Sequence, residues 1–324
     1  MNKPHIIIIS PALANANNGN WQTAKRWSRF LREHYRITIA MQWNGLACDG
    51  MIALHARRSA ASIAAFSAAC PTLPLIVVLT GTDLYKDILT DADAQRSLQL
   101  ATQLVVLQPA GLQVLDKKLR DKTQVVFQSA PALKPPIKIS TRYFDVIMIG
   151  HLRDEKDPAT FMNAATQIKS GKIRLFHIGG ALDPALGMQA EKTQQLYSHY
   201  QWLGNLPHAM TRQRLKRSRL MVITSKMEGG ANVIIEAVTS GVPVLASDIS
   251  GNRGMLGEKY AGYFPLGDRL KLAHLIDRAA NDAKFYSRLQ TQCATRAALF
   301  APERERAALL KLVGNCFTQK RRRA

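Results

Sequence analysis

The sequence predicts an α/β protein made of two open parallel sheets, each covered by helices. Three observations carry that expectation. The 324 residues exceed the roughly 100–200 of a typical domain and suit two. Apolar runs of strand length alternate with helical segments, the pattern of a parallel sheet buried on both faces. A proline-rich stretch breaks this alternation near the middle, after which the pattern restarts.

Taken in order, Ile6–Ile9 reads as the first strand. In Trp21–His34 the residues Trp21, Ala24, Trp27, Ser28 and Leu31 recur at i, i+3, i+4 spacing, which is a helix. Arg36–Met41 and Gly50–His55 are the next strands. The uncharged stretch Ser59–Thr82 has the length of a membrane span, but Pro71 and Pro74 divide it into an Ala-rich and a β-rich half. A helix Ala60–Ala69 and a strand Leu75–Leu79 are therefore expected in place of a span. Leu104–Leu107 and Gln124–Phe127 complete the first series, and Pro131–Lys138 reads as a linker. The second series is strand Phe144–Ile149, helix Ala159–Lys169, strands Ile173–Ile178, Tyr200–Leu203 and Leu220–Thr224, helix Asn232–Ser240 and strand Val242–Ala246. The tail from Pro302 is helical and basic. These marks give domains of residues 1–138 and 139–301, with the segment 302–324 beyond them, and no internal repeat.

Composition narrows the classes of function. Apolar residues make up 47% and charged ones 21%, a folded chain and not a disordered or disulfide-stapled one. The four cysteines form no C-x-x-C pair, so neither a zinc site nor a disulfide framework is expected, and a reducing compartment fits. Four isoleucines stopped by Ser10-Pro11 are too few for a signal-peptide core, so a cytoplasmic location is the expectation. Lys and Arg number 44 against 23 Asp and Glu, a net charge of +21. These charges are scattered apart from Lys320–Arg323, with no aromatics interleaved as a nucleic-acid binder would have them. A small phosphorylated ligand, or at most peripheral contact with an anionic membrane, fits better than nucleic acid.

In open α/β sheets ligands bind at the carboxyl ends of the strands. The loop Ser225–Asn232 follows a strand and opens a helix. Gly229 and Gly230 let a backbone approach closely, and the amides at Ala231 and Asn232 face an anion with the positive end of the helix dipole. Glu236 stands about one turn into that helix and leans back toward its start, while Glu228 precedes the glycines. Two carboxylates bracketing an anion site suit a ligand with sugar, diphosphate and sugar in sequence. A capped helix with two solvated glutamates has the same pattern, and periodicity alone leaves both open.

The Glu228-x7-Glu236 loop, within Gly-Gly-Ala-Asn-x3-Glu-Ala and followed by Gly241–Ser247, resembles that of the retaining glycosyltransferases of family 4. The resemblance implies the GT-B fold: two Rossmann-like domains facing a cleft, the C-terminal helix 302–324 returning to the N-terminal, acceptor-binding domain. It implies that Glu228 meets the donor sugar, Glu236 the ribose, and the amides between them the diphosphate. In that family the loop after Gly150 carries an arginine and, five residues later, a lysine on the diphosphate. Lys156 matches the lysine; His151 stands in the arginine position, and Arg153 is a second source of charge. The segments Gly150–Pro158, Gly179–Pro184, Leu54–Ser59 and Leu79–Tyr85 together resemble the selenosugar synthases of selenoneine biosynthesis, along essentially the whole chain.

That resemblance implies transfer of N-acetylglucosamine from UDP-N-acetylglucosamine to selenophosphate, forming a carbon–selenium bond and releasing UDP. Its rivals are a glycosyltransferase acting on a lipid-linked or other small acceptor at a membrane surface, and a non-catalytic nucleotide-sugar or nucleic-acid binder. Glu228, Lys156, Arg153 and His55 are the candidate catalytic residues. In the N-terminal half, Gly19 and Asn20 are expected in the loop after the first strand, facing donor phosphates. Lys25, Arg26, His55, Arg57, Arg58, Thr82 and Asp83 follow strands and are placed to line the other side of the cleft. His55 is equally readable as locally hydrogen-bonded, and Asp83 as a helix cap. No metal constellation stands at a strand end, so no metal or resident cofactor is expected, and basic loops would neutralise the leaving diphosphate.

Overall fold

All four isoleucines of β1 (His5–Ile9) are buried although successive strand side chains point to opposite faces. The sheet they belong to is covered on both sides. The computed structural model describes residues 3–13, 19–133 and 142–323 of the chain, which divides into two units. One comprises Met1–Ser129, Glu228–Gly230 and Pro302–Ala324; the other comprises Ala130–Met227 and Ala231–Ala301.

In the first unit β1 joins β2 (Arg36–Ala40), β3 (Gly50–Leu54), β4 (Leu75–Leu79), β5 (Gln103–Val106) and β6 (Thr123–Val125) in a parallel sheet of order β2-β1-β3-β4-β5-β6. Ile7, Ile9, Met51 and Val77 pack on Ile63 and Phe66 of the helix Ala60–Ala69 and on Leu98 of the helix Ala92–Leu100. Ile6, Ile8, Ile52 and Val78 pack on Trp27 and Leu31 of the helix Gly19–Leu31, and on Leu309, Leu312 and Val313 of the helix Pro302–Arg323. The C-terminal helix thus docks on the N-terminal sheet, pinned by Glu305, which is 1% exposed. Its carboxylate accepts from Trp27 Nε1 and Arg26 Nε at 2.7 Å each, and from Ser129 Oγ. A buried charge persists only when hydrogen-bonded in this way.

The second unit holds β7 (Phe144–Ile149), β8 (Ile173–Ile178), β9 (Tyr200–Trp202), β10 (Leu220–Ile223), β11 (Val244–Ser247) and β12 (Tyr263–Phe264). They form a parallel sheet of order β12-β11-β10-β7-β8-β9. The order reverses between β7 and β10, so the loops leaving these two strands border the crevice where such sheets take ligands.

The structure corrects several expected boundaries. Gly19 and Asn20 are the first two residues of the helix Gly19–Leu31 and not part of a loop, and that helix stops at Leu31. The second-unit helices run Pro158–Ala165 and Asn232–Thr239, shorter than periodicity implied. Strand β12 and the helices Pro184–Leu196, His208–Arg217, Arg269–Asn281 and Ala283–Ala297 are additional to the expected elements. Of the proline linker, residues 134–138 lie outside the described residues. The uncharged Ser59–Thr82 stretch is a helix followed by a strand, and no described helix is long and apolar enough to cross a membrane. The four cysteines are unpaired.

Candidate functional site

In the second unit, β7 ends at Ile149 and the chain turns at Gly150. The carbonyl of Gly150 is held from below by His177 on β8, whose Nε2–H donates to it at 3.3 Å. The Tyr200 hydroxyl donates to His177 Nδ1 at 3.0 Å. Burial pushes the pKa of His177 down to about 4, so the ring is neutral and these two bonds fix its tautomer. Gly179, at φ +157°, lies so close that a Cβ there would be 1.9 Å from the Gly150 carbonyl oxygen. Only glycine fits. The Trp202 indole donates to the Gly179 carbonyl at 2.8 Å, fixing that turn in its place.

His151 follows. The Gly180 amide donates to its Nδ1 at 3.1 Å. Burial first, then the Arg153 and Lys156 charges, hold its pKa below the usual histidine value. His151 is therefore neutral in neutral water and does not replace the charge of an arginine. The cations of this loop are Arg153, whose Nε is 3.8 Å from Glu155 Oε2, and Lys156. The Lys156 methylenes run beside Gly150, 3.6 Å from where a Cβ on that glycine would stand.

The loops after β7 and β10 are stitched together across the reversal point. Thr224 Oγ1 donates to the Lys156 carbonyl at 2.7 Å, and the Lys226 amide to the Glu155 carbonyl at 3.0 Å. Lys226 Nζ also pairs with Asp154 at 2.5 Å, which raises the lysine's pKa. The helix Asn232–Thr239 begins at Ala231, which has no capping side chain to offer its first amides. Glu236, one turn in and 8% exposed, accepts from His208 Nε2 at 2.6 Å. Sequence reasoning missed His208: it opens the helix His208–Arg217, carries no motif, and meets Glu236 only through the fold.

The first unit gathers its candidates at the carboxyl ends of β3 and β4. His55, buried and at φ +72°, hydrogen-bonds Thr82 Oγ1 through Nε2 at 3.0 Å. Asp83 is fully buried and accepts from the amides of Ala56, Thr80 and Gly81 at 2.8–2.9 Å. Its carboxylate clasps the two loops and does not act as a free cap. Asp83–Asp87 form a single π-helical turn. Glu228 is also buried, 8% exposed. Gly229 sits against β4's exit: a Cβ on it would lie 2.5 Å from the Thr80 carbonyl, and one on Gly230 2.6 Å from Leu107 Cβ. Protein neighbours, before any ligand, demand these glycines.

Four basic residues are among the candidates expected in the first unit. Arg26 is bound to Glu305, Arg57 to Asp87 and Asp91, and Lys25 and Arg58 are exposed. Among the described residues no group of three His, Cys, Asp or Glu side chains is arranged to hold a metal ion.

A protein-family model described as "Glycosyl transferases group 1" matches residues 130–296, just over half of the chain. The curated "Glycosyltransferase 1 domain-containing protein 1" of Xenopus tropicalis is 30% identical over 118 residues, 36% of this chain and 34% of that protein. The match thus spans about a third of that relative's length. Sucrose-phosphate synthase from Thermosynechococcus elongatus superposes with a TM-score of 0.80 at 16% identity, over 98% of this chain and 100% of the other. HepE from Anabaena in complex with UDP-glucose gives 0.77 at 14% identity, over 96% and 100%.

Proposed function

The chain belongs to the glycosyl transferases group 1 family and has the GT-B fold, and from that premise we propose that it transfers N-acetylglucosamine from UDP-N-acetylglucosamine to selenophosphate. The sugar C1–O bond to the diphosphate breaks, its electron pair leaving with UDP, and a C1–Se bond forms. One observation carries the donor half of this reading: the helix that starts without a side-chain cap at Ala231 presents Glu236 one turn in, held by His208. The positive end of the helix dipole attracts a diphosphate, and a carboxylate accepts ribose hydroxyls. HepE, with the same fold, is described with UDP-glucose.

Lys156 and Arg153 neutralise the charge growing on the leaving diphosphate. In this reading they replace a metal ion, and His151, being neutral, supplies only hydrogen bonding. Selenophosphate is already an anion with an exposed selenium, so the reaction needs no general base. The buried, locally bonded His55 agrees with that economy, and the motif resemblance along the whole chain supports this acceptor over a lipid-linked one.

The test is purified protein with UDP-N-acetylglucosamine and selenophosphate in chelator-treated buffer, followed by mass spectrometry. UDP together with a selenium-bearing sugar is expected. Transfer to lipid extract but not to selenophosphate moves the acceptor to the membrane surface. Tight donor binding with no UDP release identifies a binder and overturns the enzymatic reading.

A further inference from the structure

We infer that His55 is a positioning residue that makes the Thr82 hydroxyl a one-way hydrogen-bond donor to a phosphoryl oxygen of a substrate; this rests on the function proposed above. The Arg58 amide donates to His55 Nδ1 at 3.3 Å, so that nitrogen is bare. Burial, the largest influence, holds the ring's pKa below the usual histidine value against the opposing pull of Asp83 and Asp87, with Arg58 and Arg57 adding to the depression. The ring is neutral, and its single proton is on Nε2. That atom is 3.0 Å from Thr82 Oγ1 and 3.9 Å from Asp87 Oδ2. Only the first is a hydrogen-bond distance.

A hydroxyl that accepts from histidine keeps its own proton for another partner. Among the described residues Thr82 Oγ1 has no acceptor for it. Nearby carboxylates are already engaged: Asp83 by three backbone amides, Asp87 by Arg57. The Thr80–Gly81 backbone just before Thr82 packs against Gly229, whose loop the proposed function assigns to the diphosphate. Thr82 is half-buried, which leaves it reachable. Backbone departures meet here too. His55 holds a left-handed φ of +72°, and the next segment winds as a π turn. Each costs conformational free energy and persists where surroundings enforce it, a pattern concentrated at functional sites.

The experiment compares wild type with Thr82→Val, Thr82→Ser, His55→Asn (asparagine tolerates φ > 0) and the double variant His55→Asn/Thr82→Val. Folding is checked by thermal melting, and binding of UDP and of inorganic phosphate is measured by calorimetry without turnover. Losing a hydrogen bond to a charged group weakens binding about 10- to 100-fold. Thr82→Val and His55→Asn are expected to weaken the same probe to that degree, the double variant to be no worse than either, and Thr82→Ser to restore binding. Weakened UDP binding assigns the oxygen to the donor, and weakened phosphate binding to the acceptor anion. If wild type binds and Thr82→Val binds equally well, or if the two losses multiply, the inference falls and the proposed function stands. Should wild type bind neither probe, the proposed function falls and takes the inference with it.

Discussion

Replacing His177 by glutamine tests whether a fully buried ring governs acid stability of the second unit. The structure sets the size of the effect. Burial lowers the His177 pKa from 6.5 to about 4, and each unit is worth about 1.4 kcal/mol, so the linkage is about 3 kcal/mol. The sign follows from which state holds the proton. Between pH 6.5 and about 4 the unfolded chain binds a proton that the native ring refuses, so stability falls as pH falls. The full value is present above 6.5 and gone near 4. Glutamine can still donate to the Gly150 carbonyl and accept from Tyr200, but it does not titrate in this window. Unfolding in urea across the window, with hydrogen–deuterium exchange of the β7 and β8 peptides to localise the response, should show wild type losing about 3 kcal/mol more than His177→Gln. Contributions from the other histidines cancel in the difference. Parallel pH profiles for the two proteins would refute the assignment of a neutral, buried ring beneath Gly150.

Four further outcomes are expected. Glu236→Ala should raise the donor Kd about 10- to 100-fold, because hydrogen bonds to a charged acceptor are lost, whereas Lys156→Ala should chiefly lower kcat by about 100-fold or more; calorimetry and steady-state kinetics separate the two. Gly179→Ala would set a methyl 1.9 Å from the Gly150 carbonyl oxygen, so a loss of at least about 2 kcal/mol is expected, visible as a lowered Tm and faster exchange in β7. Glu305→Ala removes the shared acceptor of Trp27, Arg26 and Ser129 and should cost the first unit about 3–5 kcal/mol; urea unfolding read through the buried Trp27 measures it.

The alternation of apolar strands with helices determined the α/β class and most strand positions, because burying both faces of a sheet leaves a continuous apolar run such as Ile6–Ile9. It also marked the loops after β7 and β10, where Lys156 and the Gly-Gly-Ala-Asn turn lie. Boundaries were less legible at Gly19 and Asn20, since a glycine near an amphipathic start reads as loop while the terminal turn makes few side-chain demands. Tertiary structure alone decided which protons sit where. His151, His177 and His55 look alike in sequence, yet burial and a particular amide, hydroxyl or carbonyl neighbour make each neutral in a fixed tautomer. Pairings such as His208 with Glu236, 28 residues apart, and Arg26 with Glu305, 279 apart, join segments that no local pattern connects. A side chain's partners are set by where the sheets bring distant strand ends, and that information is spread over the whole chain.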